Sequence, residues 1–214
     1  MRRVATFNYL PFVLLVLSLV SCSRQNEVVN KEGHDYNGSY SGKYLDRIAF
    51  PVGGMGAGMF CIEGTGAISH MSVRNRPEVF NEPCMFAAIS VKGIENGSLV
   101  IEGEVPEWKK FGRPDSGNGS GGTTYGLPRF ESADFTARFP YAHINLQDPD
   151  LPLEVKINGW SPFIPTDADN SSLPVGGIEY SFKNTGTARV EAVFSYNSVN
   201  FMAQGNGKVV IKPL

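Results

Sequence analysis

Cysteine is scarce in this chain. Three occur in 214 residues. No two form a Cys-x-x-Cys pair and no histidines stand at ligand spacing, so the sequence offers no zinc site. Charge is thin as well: charged residues make up 19%, the formal net charge is -2, and no basic block occurs. That removes the electrostatic footprint a nucleic-acid partner requires. Helical periodicity is missing, since no stretch is long enough to make an amphipathic helix. Nothing calls for a metal or another cofactor. What remains is 42% apolar, the composition of a globular chain rather than a disordered one.

The first residues carry their own signal. Arg2 and Arg3 form a positive start, and Tyr9 to Val20 is an apolar run too short and too near the terminus to span a bilayer. It ends Leu19-Val20-Ser21-Cys22, which resembles a bacterial lipobox, with cleavage before Cys22 and lipid on its sulfur. An ordinary secretory signal peptide with an incidental cysteine is the alternative. On the lipobox reading, residues 1–21 are a lipoprotein signal peptide and 22–44, polar and without periodicity, a flexible tether. The membrane is then a partner through lipid at Cys22, and the protein belongs in the bacterial cell envelope, periplasmic or on the cell surface. His34 and Asp35, in the tether, are expected to be solvated.

From residue 45 onward the pattern is that of strands. Leu153–Ile157, Ile178–Phe182 and Val190–Tyr196 alternate an apolar face with a mostly polar one. Phe86–Val91, Leu99–Glu102, Phe135–Phe139 and His143–Leu146 read as further strands. Lys183-Asn184-Thr185-Gly186-Thr187 has the residues of a hairpin turn joining its flanking strands. Many short strands with frequent turns predict an all-β protein, a large antiparallel β-sandwich over 45–214. Lys208–Lys212 begins another apolar run, and the sandwich is expected to be incomplete within these residues.

Two glycine-dense stretches fail the test for a phosphate cradle. Neither Gly53–Gly58 nor Gly112–Gly126 lies between a strand and a helix. The first is expected to turn the backbone sharply or bring it close to a neighbour; the second is expected to be a surface excursion. Between Phe50 and Pro83 the chain passes from that glycine turn to a polar segment closed by Pro77 and Pro83, the pattern of a presented loop. Its Arg74, Asn75, Arg76 and Glu78 suit two roles: packing on a further domain or at the mouth of its cleft, or tying the loop together through Arg–Glu pairs. Glu78 with Glu82, and Glu104 with Glu107 beside Trp108, are carboxylate pairs to weigh as catalytic groups. Nothing in the sequence marks either with a raised pKa, and solvated loops are the plainer reading. Trp108 is a candidate stacking platform, or else a cover for a sheet edge. Cys61 and Cys84 sit among apolar residues and are expected to be free buried thiols rather than a disulfide.

The stretch Phe50–Gly58, the segment Arg138-Phe139-Pro140-Tyr141-Ala142 and the stretch Leu153–Val175, with Trp160–Pro165 and Asn170–Val175, occur in order. Together they resemble the N-terminal domain of glycoside hydrolase family 116, the family of non-lysosomal glucosylceramidase and bacterial β-glucosidases. The segment Glu63–Ala67 with Ser72–Glu78 departs from the family's Trp-containing pattern, which implies a divergent subfamily. The resemblance implies a β-sandwich packed on a C-terminal (α/α)6 barrel and a retaining hydrolysis by two barrel carboxyls, about 5 Å apart in such enzymes. No residue of this chain matches either one, so no catalytic residue is expected here. The implied substrate is a β-glucoside or related glycoconjugate. The alternative is a surface-anchored carbohydrate-binding module without catalytic activity. Trp108, Trp160 and Tyr125 would then be its stacking candidates, with Trp160 expected in the core.

Overall fold

The computed structural model of the protein describes residues 34–73, 75–78, 82–110 and 124–200. The expected signal peptide, Cys22, the first part of the expected tether, Arg74, most of the glycine-rich excursion and the run 208–212 lie outside the described residues.

Eleven strands make up the described fold: β1 (Tyr40–Ser41), β2 (Ala49–Val52), β3 (Met59–Glu63), β4 (Ile68–Ser72), β5 (Met85–Val91), β6 (Ser98–Val100), β7 (Ser132–Arg138), β8 (Tyr141–Gln147), β9 (Leu153–Trp160), β10 (Gly177–Asn184) and β11 (Ala192–Ser198). They form a five-stranded sheet β1-β7-β8-β9-β10, a three-stranded sheet β11-β5-β6 and a three-stranded meander β2-β3-β4. Every pairing between strands is antiparallel. Among the described residues, helical structure is confined to four-residue pieces at Gly42–Leu45, Glu107–Lys110 and Ala168–Ser171. The expected all-β architecture is what the chain adopts.

Period-two alternation builds the core. On β8, Ala142, Ile144 and Leu146 are buried, and on β9 Leu153, Val155 and Ile157. Their register partners lie on the same side, Ile144 opposite Ile157 and Leu146 opposite Val155. Ile62, Ile89, Leu99, Ile101 and Phe130 join them in one cluster. Each such side chain contributes roughly 1.5–3 kcal/mol on burial, so this layer carries much of the stability.

Two expectations change. Lys183–Thr187 does turn, with Asn184 Oδ1 accepting from the Gly186 amide at 2.9 Å, but it is not a hairpin. Its flanking strands belong to different sheets, β10 pairing with β9 and β11 with β5. The reason lies in the apolar sides of both strands. Phe194 packs on Tyr180 and Phe182 across the layers, tilted against the first ring and edge-on to the second, with centroids 5.4 and 5.7 Å apart. The two strands therefore stack instead of pairing. Order also begins before residue 45. Tyr40 and Ser41 pair with Phe135 and Asp134, and His34 stacks on Tyr40 at 3.8 Å.

The glycine-dense turn between β2 and β3 makes a close approach. Met55 donates its amide to the Ser171 carbonyl at 2.9 Å, and Gly53 donates its own to Ser161 Oγ at 3.1 Å. A Cβ on Gly54 would strike the Leu173 carbonyl. Gly58 holds φ +103, where a side chain is strained. The turn thus docks on the 161–173 segment, uniting two stretches that are far apart in the chain.

Candidate functional site

Beneath the presented loop lies a cluster of buried charges. Its first member comes from β3, where Cys61 and Glu63 share the side opposite Ile62 and both are buried. A buried carboxylate must be paired, and the partner is supplied by the helical turn at Glu107–Lys110. That turn is anchored by Trp108, whose Nε1 donates to the Asp46 carbonyl at 2.7 Å. With Trp108 held there, the Lys109 side chain points inward and is only 4% exposed. Its Nζ donates to both Glu63 oxygens, at 2.7 and 2.6 Å, and to Glu82 Oε1 at 2.5 Å. Tyr125 donates its hydroxyl to the other Glu82 oxygen.

A second pair stands alongside. Arg129 Nε donates to Glu102 at 3.1 Å. Its other N–H groups donate to the Thr124 and Leu127 carbonyls, each at 2.9 Å, and to Thr124 Oγ1 at 2.7 Å. Glu63, Glu82, Glu102, Lys109, Tyr125 and Arg129 line a common cavity of about 50 Å³. Three carboxylates thus face two cations. Burial pushes the Glu102 carboxyl above the ordinary carboxylate range, against the pull of Arg129. Burial likewise raises the Tyr125 phenol, reinforced by its hydrogen bond to the Glu82 carboxylate. The neighbouring Cys61 thiol is pushed up to about 11, first by burial and then by the Glu63 charge, which leaves it protonated and inert at neutral pH.

This arrangement is a clamp and not a reaction centre. A retaining pair of carboxyls needs a sugar between them, and here the Lys109 ammonium occupies the place between Glu63 and Glu82. The cavity admits a few waters, whereas a small-molecule site runs to roughly 300–1,000 Å³. What the cluster does is join parts of the chain: β3, the end of the presented loop at Glu82, the 107–110 turn and the 124–129 segment.

The residues singled out in the sequence are distributed around the clamp. Glu82 enters it, while Glu78 does not. Glu78 pairs with Arg76 at 3.3 Å on the surface, and its amide donates to Ser72 Oγ at 2.9 Å. The loop thus carries one Arg–Glu pair of its own and a hydrogen bond back to β4. Asn75 sits at the loop's bend with φ +53. Glu104 and Glu107 both pair with Lys110 and are exposed, the solvated arrangement. Trp108 is half-buried, and the Arg47 guanidinium lies 4.3 Å from its ring centroid. Cation–π contact occupies that ring face. Cys61 and Cys84 are both free thiols. Trp160, expected in the core, is instead on the outward side of β9 and 39% exposed. Among the described residues no group of three or more His, Cys, Asp or Glu is placed to hold a metal ion, and no helix is long and apolar enough to cross a membrane.

Glu63, Glu102, Lys109 and Arg129 escaped the sequence reading. One signal was available: Glu63 closes the apolar run Met59–Ile62, and a charge carried into a buried strand demands a partner. Nothing local says that the partner is a lysine 46 positions further on.

The sequence model of the family described as beta-glucosidase 2, glycosyl-hydrolase family 116 N-term, matches residues 49–210. No curated protein matches the chain.

Proposed function

The chain belongs to glycosyl-hydrolase family 116 and carries that family's N-terminal domain; from this premise we infer that it is the β-sandwich portion of an exported, lipid-anchored glycoside hydrolase acting on β-glucosides or related glycoconjugates. The family match over 49–210 is the observation that carries this reading. The buried clamp supports it from the other side. At the clamp, Glu63, Glu82 and Glu102 are paired with Lys109 and Arg129 around a cavity too small for a pyranose.

Catalysis is then supplied by an (α/α)6 domain outside these 214 residues, and the present domain supports it. The clamp holds the loop that contains Arg74, Asn75, Arg76 and Glu78 against the sandwich through Glu82, as a loop at the mouth of a cleft requires. Cys22 anchors the protein in the bacterial cell envelope. The test is an aryl β-glucoside assay of the 214-residue chain beside the polypeptide read further along its coding frame. Turnover by the longer product alone is expected. Turnover by the 214-residue chain would overturn the reading. Metabolic labelling with palmitate, abolished by Cys22→Ala, tests the anchor; labelling that survives the substitution would refute it.

A further inference from the structure

The five-stranded sheet has an outward face that the buried clamp does not use. Antiparallel register fixes its composition row by row. Gly177, Trp160 and Tyr141 stand opposite one another on β10, β9 and β8. The next outward row is Glu179, Asn158 and His143, and the one after it Ser181, Lys156 and Asn145. Trp160 is 39% and Tyr141 50% exposed.

The aromatic row is shaped, not merely exposed. A Cβ on Gly177 would collide with the Trp160 indole. The ring therefore lies across the neighbouring strand at the one position without a side chain, and it occupies the surface of the sheet instead of standing upright. Tyr141 is the next residue along the row, one strand spacing away, about 4.8 Å. Tyr141 and His143 are nearly parallel, 14° between planes with centroids 6.2 Å apart. His143 Nδ1 lies 2.8 Å from Asn158 Oδ1, and since an amide oxygen only accepts, the ring nitrogen donates. Hydrogen-bonding side chains of fixed orientation thus border a flat aromatic strip.

We propose that this face binds a glycan chain, with pyranose rings stacking on Trp160 and Tyr141 and hydroxyls meeting His143, Asn158 and Glu179. The chemistry selects that class of ligand. A sugar ring presents axial C–H groups to a π face and equatorial hydroxyls around its rim, which is the inverse of this surface. Protein interfaces have an apolar core depleted of charge, whereas here charged and amide groups follow within one row of the rings. The balance of Glu179 against Lys156 also gives no field to attract a charged polymer. The ligand class agrees with the glycan substrates of the family, but the binding itself does not depend on where hydrolysis occurs.

The test is isothermal titration of the full chain with cellohexaose, laminarihexaose and xylohexaose. The chain contains only two tryptophans, so Trp108→Phe leaves Trp160 as the sole one, and fluorescence excited where tryptophan alone absorbs reports on this face. Saturable binding to at least one oligosaccharide is expected, with a change in Trp160 emission. Trp160→Ala should weaken it about tenfold or more, about 1.4 kcal/mol. Tyr141→Ala should weaken it about threefold or more. Gly177→Ala keeps both rings but displaces the indole, and it should weaken binding while the circular dichroism of the fold persists. If Trp160→Ala fails to fold, Tyr141→Ala and Gly177→Ala decide. No binding to any of the three sugars overturns the proposal. So does affinity unchanged by these substitutions, or an emission change seen only in Trp160→Phe, which would place the site at Trp108. A negative aryl-glucoside assay leaves this result untouched, so the two readings fail separately.

Discussion

Replacing Lys109 by methionine is the sharpest perturbation of the clamp. Methionine keeps most of the side-chain volume and removes only the ammonium. Lys109 is 4% exposed, and its partners Glu63 and Glu82 are 9% and 17% exposed. Their carboxylates would be left without a cation at 2.5–2.7 Å. Breaking a buried ion pair by removing one partner costs about 3–5 kcal/mol, because the remaining charge stays desolvated. For a domain of this size, each kcal/mol moves the melting temperature by about 2–4 °C, so Lys109→Met should lower Tm by about 6–20 °C. The assay is thermal unfolding followed by circular dichroism at pH 7. The triple variant Lys109→Met, Glu63→Met, Glu82→Met carries no orphaned charge and should recover most of the loss, since exchanging a whole buried network for apolar groups is often neutral. A Lys109→Met variant that melts within about 2 °C of wild type would refute the clamp. So would a triple variant no better than the single one, because the cost would then come from packing and not from charge.

The same geometry yields further expectations. Gly54→Ala should destabilise by about 1–3 kcal/mol, since the new methyl must push back the Leu173 carbonyl; urea unfolding measures it, and a neutral effect would mean the turn does not dock as described. Arg129→Lys cannot reproduce the fork to Glu102, Thr124 and Leu127, and should cost about 2–3 kcal/mol by the same measurement. For Glu102, the raised folded-state pKa means that the native state holds its proton more tightly than the unfolded chain does. Its stabilising contribution is complete below the ordinary carboxyl value of 4.5 and is lost as pH rises through the folded pKa. Wild type should therefore lose ground to Glu102→Gln as urea unfolding is repeated from pH 4 to pH 8, and a gap that is flat with pH would contradict this. Cys61 should resist alkylation in the native protein at pH 8, with its thiol held protonated up to about 11, while half-buried Cys84 reacts first; peptide mapping by mass decides the order.

Much of the fold was legible because strands write themselves locally. Leu153–Ile157 and Ile178–Phe182 alternate, and both lie in strands whose apolar side faces the core. The turn at Lys183–Thr187 was equally plain, but its meaning was not. Turn residues specify a reversal of the backbone, and only the packing of Phe194 on Tyr180 and Phe182 decides that the strands stack in two layers. Trp160 was misplaced for a related reason. It follows Gly159 at the end of a strand, and the alternation Val155, Ile157, Gly159 puts it outward. The apolar character of the ring pulled the reading inward, yet position on the pleat overrides it.

The sequence by itself determined the all-β class, the family, the glycine turn and the likeness of residues 1–22 to an export and lipidation signal. Those properties depend on neighbours within a few positions, or on patterns that survive being read in one dimension. Only the tertiary structure decided that Glu63, Glu82 and Lys109 form one buried network, and that Gly177 makes room for an indole one strand away. A charge or a glycine acquires such a role from what stands across from it, and strand pairing and the packing of the 107–110 turn set that across distances of 17 to 46 residues.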